Sequence, residues 1–217
     1  MKINTKILQI TAAGALALAT VNFAQAVPTL TMFDGTTTIT ITDGGAGDSS
    51  ALAGSVVWVG AIGVFNINVN TGLTKPILGT STAPHMDLNF SANATAAGSL
   101  SVTFSDDGFN YTGSLVDVFG GTAGNNSLVT DTVLKNGGAF INQGPFGTGG
   151  FTATTSAFVT LVPADVLSLR VNITTTGAGV SSGDKDVHSA PDNGLTVSLL
   201  GGAMVGLIAL RRKLRSA

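Results

Sequence analysis

Histidine, cysteine and paired carboxylates carry most enzyme chemistry, and this chain uses them sparsely. Its 217 residues include two histidines, His85 and His188, and no cysteine, which excludes thiolate chemistry. His85 precedes a predicted strand, His188 lies in a polar stretch near the C-terminus, and neither shows a partner pattern. Serine and aspartate are plentiful, but no Gly-x-Ser-x-Gly turn presents a nucleophile. The sequence therefore predicts that the protein is not an enzyme, since a hydrolase would need an acid–base pair in a cleft.

Four aspartates in glycine-rich turns are candidate calcium ligands. Asp43 and Asp48 flank a glycine loop, and Asp106 and Asp107 are neighbours. Calcium prefers carboxylate and loop carbonyl oxygens, so these residue types suit the ion. Asp-Gly sequences also form hairpin turns without any ion, and neither loop has the spacing or the closing Glu of an EF-hand. The sequence favours plain turns and predicts no cofactor beyond this calcium alternative.

Two rows of polar side chains would line the faces of predicted strands. The rows are Thr36, Thr38, Thr40 and Thr42, and Asn66, Asn68 and Asn70. A regular array of hydroxyls or amides can match a repeating ligand such as a polysaccharide or ice. Threonine is also common at solvent-facing strand positions because of its β propensity. The sequence favours plain solvent-facing positions, and leaves a carbohydrate-binding or adhesive module, with or without calcium, as the alternative.

The central part of the chain is acidic. Residues 27–189 carry four basic side chains, Lys75, Lys135, Arg170 and Lys185, against eleven aspartates and no glutamate. Such an excess of negative charge repels phosphate backbones and anionic membrane surfaces, so no nucleic-acid partner is predicted. Aspartate without glutamate also favours turns over helices.

The elements that must position these residues are predicted to be strands. Apolar and polar residues alternate with a period of two in five runs, at Thr38–Thr42, Phe65–Asn70, Met86–Ser91, Leu100–Ser105 and Leu167–Thr174. Each run suits a half-buried antiparallel strand, and glycine and Asx clusters separate the runs. The pattern predicts an all-β protein. Residues 27–174 would form a single β-sandwich or jelly-roll-like domain of about eight to ten antiparallel strands.

The stretch after the last of these runs has no apolar face. Residues 175–189 read TTGAGVSSGDKDVHS and contain small and charged side chains almost throughout. A segment of this composition buries little apolar surface. We therefore predict a flexible linker between the domain and the C-terminal segment.

The N-terminus has the layout of a secretory signal peptide. Lys2 and Lys6 precede an apolar run over residues 7–21, and Ala24 and Ala26 supply the small residues of a cleavage site. Residues 1–26 are predicted to form a signal helix that engages the secretory translocon. Signal peptidase would cut after Ala26 and leave Val27 as the first mature residue.

The C-terminal segment, residues 190–217, has the layout of a membrane sorting signal. A turn, Ala190-Pro191-Asp192-Asn193-Gly194, precedes an apolar run over residues 195–210. This predicted transmembrane helix is shorter than the ~20 residues of an ordinary span. The tail at residues 211–217 contains four bases, which the positive-inside rule holds in the cytoplasm: Arg211, Arg212, Lys213 and Arg215. This order predicts a transient inner-membrane anchor that is cut near the turn.

The same segment resembles the PEP-CTERM sorting domain, specifically its VPDSG-type variant. The matching positions are Pro191, Asp192, Gly194, Thr196, Val197, Leu199, Leu200, Gly201, Gly206, Leu207, Leu210, Arg211 and Arg212. Ala190 stands where the variant usually has Val, and Asn193 where Ser or Gly is common. The resemblance covers the last 28 residues. It implies recognition by an exosortase, a transpeptidase-like integral membrane enzyme, in a Gram-negative-type bacterium that makes exopolysaccharide.

Together the terminal signals and the catalytically sparse body predict an exported structural protein. It would be sorted and processed by an exosortase and released to the cell surface or to a biofilm-associated extracellular matrix. Its partners would be the translocon, signal peptidase, the exosortase and, for a time, the inner membrane. Exopolysaccharide is a further candidate partner of the body.

Overall fold

The computed structural model describes residues 27–190, which form twelve β-strands joined by turns and loops. In chain order the strands are β1 (Thr29–Phe33), β2 (Thr38–Thr42), β3 (Ser55–Ile62), β4 (Phe65–Leu73), β5 (His85–Ala94), β6 (Gly98–Asp106), β7 (Tyr111–Ala123), β8 (Ser127–Lys135), β9 (Gly138–Phe146), β10 (Gly149–Leu161), β11 (Leu167–Thr175) and β12 (Gly179–Ser189). The all-β prediction is confirmed, and the strands outnumber the eight to ten predicted. Over the described range no helix has the length and apolar character needed to cross a membrane. The predicted signal helix and the predicted helix at 195–210 lie outside the described residues.

The strands form two antiparallel sheets of six strands each. The first sheet has the order β2-β1-β6-β11-β8-β9, and the second has the order β10-β7-β12-β5-β4-β3. Each sheet presents one apolar face, which must be buried against another element. This arrangement is consistent with the predicted β-sandwich.

The core comes from the alternation of side chains along the strands. In β5, Met86, Leu88 and Phe90 are buried, while the residues between them are only partly covered. In the first sheet, Val102 and Phe104 of β6 are buried in the same way. Each fully buried side chain of this size contributes about 1.5–3 kcal/mol relative to an exposed one. The five alternating runs found in the sequence all lie within strands, so that prediction is confirmed.

The prediction of a flexible linker at residues 175–189 is wrong. Residue 175 ends β11, and residues 179–189 form β12, which pairs with β5 on one side and β7 on the other. The sandwich therefore extends to residue 189 instead of 174. The strand escaped detection because its core-facing positions include Ser181, Gly183 and Lys185, so the apolar row expected of a strand is missing.

Candidate metal centre

The two histidines meet on the outer face of the second sheet. β5 and β12 are antiparallel neighbours, and their register places His85 directly opposite His188 and Asp87 opposite Asp186. Because the intervening residues of both strands point into the core, these four side chains share the outward face. The sheet therefore brings together residues that are about a hundred positions apart in the chain.

Asp186 connects the two imidazole rings. Its Oδ2 lies 2.6 Å from Nε2 of His85, and its Oδ1 lies within hydrogen-bonding distance of Nδ1 of His188. The ring centroids are 5.7 Å apart and the rings meet edge to face. The three side chains are each about one-third exposed, at 33%, 30% and 35% for His85, Asp186 and His188. The contacts with Asp186 therefore hold the two imidazole rings in place, and all three side chains remain accessible to solvent.

Two further carboxylates surround this group. Asp87 and Asp184 lie on the same face, and partial burial together with the negative charges of Asp184 and Asp186 raises the pKa of Asp87 to about 7. Neighbouring carboxylates on one face of a sheet disfavour each other's ionisation, because like charges repel. A bound cation would relieve that repulsion, so the electrostatics of the patch favour positive charge.

An open groove leads to the histidines. It has a volume of about 460 Å³, and its lining residues are Gly79, Ala83, Pro84, His85, Asp186, His188 and Ser189. The loop between β4 and β5 forms one wall and is tied to β12, since Ser189 donates its N–H to the Pro84 carbonyl at 2.8 Å. Gly79 has a φ of +66°, and a Cβ there would lie 2.7 Å from the backbone nitrogen of His85. Glycine therefore allows the loop to approach the site closely.

The group has the chemistry of a transition-metal site. Its three potential ligand atoms, two imidazole nitrogens and one carboxylate oxygen, lie within 4.8 Å of one another. Two histidines and one carboxylate are a ligand set that zinc and related divalent ions accept, with one or more positions left open. In the present geometry each histidine shares a ring proton with Asp186, so a bound ion would take the place of those protons. Neither histidine shows a partner pattern in the sequence, yet in the fold both contact Asp186.

Sequence reasoning missed this site for an identifiable reason. The signal was present as Asp186-Val187-His188, because residues two apart share one face of a strand. That signal is readable only once residues 179–189 are recognised as a strand. The pairing with His85 then follows from the sheet order, which local patterns do not encode.

The calcium candidates in the loop between β2 and β3 already accept hydrogen bonds. Asp43 Oδ2 accepts the Gly54 N–H at 2.6 Å. Asp48 Oδ1 accepts the N–H groups of Ser50 and Val57 at 2.9 Å, and its Oδ2 accepts that of Gly44 at 2.9 Å. Both carboxylates therefore hold the loop in shape. Calcium binding at this loop stays a prediction.

The second pair of calcium candidates is part of an ion pair. Asp106 is buried, and its Oδ2 accepts hydrogen bonds from Thr74 Oγ1 at 2.7 Å and from Lys75 Nζ at 2.6 Å. Burial raises the pKa of Asp106, and the bonds from Lys75 and Thr74 partly offset that rise. Lys75 also contacts the carbonyl oxygen of Asp107 and lies over the ring of Phe109. Among the described residues the grouped ligands are His85, Asp186 and His188, so none of the four calcium candidates belongs to the group.

The polar rows lie at the surface. Thr38, Thr40 and Thr42 of β2 are exposed, as are Asn66 and Asn68 of β4, so the solvent-facing prediction is confirmed for these five. Thr36 is also exposed but precedes the strand, and the side chain of Asn70 lies outside the described set. Ligand binding by either row stays a prediction.

The predicted processing sites fall almost entirely beyond the described range. Ala24 and Ala26 precede it, and Pro191 to Gly194 and the four bases Arg211, Arg212, Lys213 and Arg215 follow it. Ala190 is the last described residue, and its N–H donates to the Ser114 carbonyl at 2.8 Å. The first position of the predicted sorting box is therefore attached to β7.

Comparison with known proteins gives no family. No protein-family model matches the chain, and no curated protein matches it. Two solved structures are similar over part of it: the enzymatically active domain of tailspike protein 4 from bacteriophage CBA120, at 11% identity and a TM-score of 0.29, and a β-glucosidase from Kluyveromyces marxianus in complex with glucose, at 13% identity and a TM-score of 0.32. The matches cover 56% and 76% of this chain but 19% and 16% of those structures. TM-scores of this size do not establish a shared fold or activity.

Proposed function

We propose that the chain is an exported structural protein of the cell surface or extracellular matrix, sorted and processed by an exosortase. One observation carries the proposal: the strands run from Thr29 to Ser189, and both predicted processing boundaries lie just outside these limits. Cleavage after Ala26 would release the chain two residues before β1 begins. Cleavage in the box at 190–194 would release it directly after β12. Both cuts would leave the sandwich whole.

The test is mass spectrometry of the extracellular protein from the producing cell. We expect an N-terminus at Val27 and a C-terminus that lacks Arg211 to Arg215. A Pro191→Ala, Asp192→Asn variant is expected to stay in the membrane fraction with its basic tail. Asp184→Asn, an exposed change in β12, is the matched control and is expected to be processed normally. An extracellular form that keeps Arg211 to Arg215 would rule the proposal out.

We also propose that the sandwich binds a divalent transition metal of the zinc class at His85, Asp186 and His188. The geometry supports this second function, because three suitable ligand atoms converge within 4.8 Å beside further negative charge. The open groove leaves room for water or for a donor from another molecule at the free coordination positions. A matrix protein with such a site could join chains or retain metal at the cell surface.

Calorimetric titration of chelator-treated protein with Zn²⁺ tests this second function. We expect one bound ion per chain, little response to Ca²⁺, and shifts confined to the two histidine rings in an NMR spectrum. Replacing His85 or His188 by Ala should weaken Zn²⁺ binding by more than the ~10–100-fold typical of outer-shell changes. Asp184→Asn, which removes nearby charge and no ligand, should weaken binding less. Equal affinity in the wild type and both histidine variants would contradict the assignment.

A further inference from the structure

A second cluster of charged side chains lies inside the sandwich. Lys185 of β12, Asp117 of β7 and Asp131 of β8 meet between the two sheets, and all three side chains are 0% exposed. Burying ions without water costs several kcal/mol per ion unless partners compensate. The cluster is separate from the metal centre, because Lys185 points to the inner face of β12 and Asp186 to the outer face.

The neighbours of Lys185 in its own sheet are apolar. In the second sheet Lys185 lies opposite Phe119 of β7 and Leu88 of β5, which are both buried. Asp131 projects from the first sheet, where its neighbour on β11 is Val171 and its neighbour on β9 is Gln143. The lysine and this aspartate therefore face each other across the sandwich in a site that excludes bulk water.

The two carboxylates contact the ammonium group differently. Lys185 Nζ lies 2.9 Å and 3.0 Å from the two oxygens of Asp117, so that carboxylate is bidentate. Asp131 contacts Nζ through Oδ1 only. Its Oδ2 has no hydrogen-bond partner, and neither has Oε1 of Gln143, the residue across from it on β9. One oxygen of Asp131 therefore accepts no hydrogen bond from the donors around it.

The charge of the cluster balances only with an added proton. One ammonium group and two carboxylates leave an uncompensated negative charge in an apolar site, which is costly. Burial raises the pKa of Asp131 to about 7; Lys185 opposes the rise and Asp117 adds to it. A neutral cluster consists of one ammonium, one carboxylate at Asp117 and one carboxylic acid at Asp131.

We propose that Lys185 Nζ and the side-chain carbonyl carbon of Asp131 form an intramolecular amide bond that joins the two sheets, with Asp117 transferring protons. Asp117 accepts one proton from the ammonium group and so frees the nitrogen lone pair. The nitrogen attacks the carbonyl carbon of Asp131, and the C–N bond forms. The Asp131 hydroxyl leaves with a second nitrogen proton as water. The products are an amide, one water molecule and a protonated Asp117, so atoms and charge balance without any co-reactant.

Two observations assign the roles of the carboxylates. Asp117 holds Nζ with both oxygens, which suits a group that accepts a proton from it. Asp131 touches Nζ with one oxygen and leaves the other unengaged, which suits the oxygen that departs. Holding the amine and the acid next to each other in a site without water removes the entropy cost of bringing the two reacting groups together. Water exclusion also disfavours hydrolysis of the product.

The chain contains two internal controls for this chemistry. Lys75 lies 2.6 Å from Asp106, and Lys135 lies 3.0 Å from Asp165. The lysine side chains of these pairs are 18% and 34% exposed, so water reaches them. Neither lysine is described in contact with a second carboxylate. The proposal therefore predicts a bond at Lys185 and none at Lys75 or Lys135.

Mass spectrometry of the purified, denatured wild-type protein is the decisive experiment. We expect a mass one water molecule below that of its sequence between the observed termini. Proteolysis should yield one branched fragment that joins the peptide of Lys185 to the peptide of Asp131. Asp117→Asn should restore the full mass while keeping both bond partners, and Lys75→Met should leave the deficit unchanged.

The wild-type measurement decides the proposal even if a variant fails to fold. Folded wild-type protein with its full sequence mass would overturn it. So would a deficit that maps to Asp34-Gly35, Asp43-Gly44 or Asp107-Gly108, because an aspartate before glycine can lose water by closing a succinimide ring. A deficit that persists in Asp117→Asn would overturn the role given to Asp117.

Discussion

The carboxylate of Asp165 joins two turns of the sandwich. Its Oδ2 accepts the Val162 N–H at 2.9 Å within the turn between β10 and β11. Its Oδ1 accepts a bond from Asn136 Nδ2 at 2.6 Å, and its Oδ2 pairs with Lys135 Nζ at 3.0 Å, both at the turn between β8 and β9. These contacts, the Val162 N–H foremost, lower the pKa of Asp165 to about 2. One side chain therefore connects the β8–β9 turn of the first sheet to the turn that crosses from β10 to β11.

We expect Asp165 to make the protein sensitive to acid. Its folded-state pKa lies below the value of 3.8 for a free aspartate. The stabilisation is therefore complete above that value and is lost as the pH falls towards 2. Thermal melts between pH 2 and 5 should show a steeper loss of Tm in the wild type than in Asp165→Asn. Asp107→Asn, at a side chain that makes none of these turn contacts, should keep the wild-type slope; equal slopes in all three proteins would contradict the assignment.

The candidate metal centre shows what residue types alone can and cannot indicate. His85 and His188 were recognisable as the only histidines of the chain, and the chemistry of imidazole is independent of the fold. Their proximity depends on the pairing of β5 with β12, which brings distant positions into register. Local sequence carries no information on that pairing. The buried Lys185 cluster escaped notice for the same reason, since its three members come from three strands.

At the level of elements, the alternating runs were predictable and β12 was not. The run at Met86–Ser91 and the run at Leu100–Ser105 lie in strands because their inward positions are apolar and bury surface on folding. In β12 the inward-facing positions include a glycine and a lysine. Gly183 leaves space for the rings of Phe90 and Phe119, and Lys185 is neutralised by two carboxylates. Partners elsewhere in the fold replace the apolar side chains that a strand pattern requires.

A chain that ends at residue 178 is expected not to fold. Removing β12 would leave β5 and β7 without their shared neighbour and would open the core beneath Val187. Circular dichroism during heating should show no cooperative transition for this chain. A chain that ends at residue 190 is the control and should melt cooperatively. Cooperative melting of the shorter chain at the control temperature would mean that residues 179–189 are dispensable, as a linker would be.

Gly183 provides a finer test of the same strand. A Cβ at this position would lie 2.9 Å from Phe90 and 3.1 Å from Phe119, closer than side chains normally approach. Gly183→Val should therefore reduce the free energy of unfolding by about 1–3 kcal/mol, measured by urea denaturation. Gly147→Ala is the control, since a Cβ there meets nothing within 4 Å, and should change stability by less than about 0.5 kcal/mol. An equally small effect at both positions would mean that β12 is not packed against these rings.

At the scale of the whole molecule, the sandwich has open edges. β10 and β3 border the second sheet, and β2 and β9 border the first. β10 is 13 residues long and carries Phe158, whose residue is 70% exposed. Long edge strands with exposed apolar side chains can pair with other chains. We therefore expect β10 to be an edge through which copies of the protein associate.

Phe158→Lys should reduce self-association without weakening the fold. The Phe158 side chain lies largely outside the core, so the free energy of unfolding should change by less than about 0.5 kcal/mol. A lysine on an edge strand opposes pairing with a second edge, so light scattering at high protein concentration should fall. Val59→Lys on β3, where the residue is 66% exposed, tests in the same way whether the opposite edge of the second sheet takes part in association. Unchanged scattering in Phe158→Lys would exclude β10 as the associating edge.

The position of β12 links the order in which the chain emerges to the closure of the fold. β12 is the last strand in sequence, yet it lies between β7 and β5 in the second sheet. A polypeptide that leaves the ribosome or a translocon N-terminus first therefore presents two separate half-sheets, β10-β7 and β5-β4-β3, each with an unpaired backbone edge. Only the arrival of residues 179–189 joins them. Since the predicted sorting box starts at Ala190, the sandwich stays incomplete until almost the moment at which the predicted sorting segment appears.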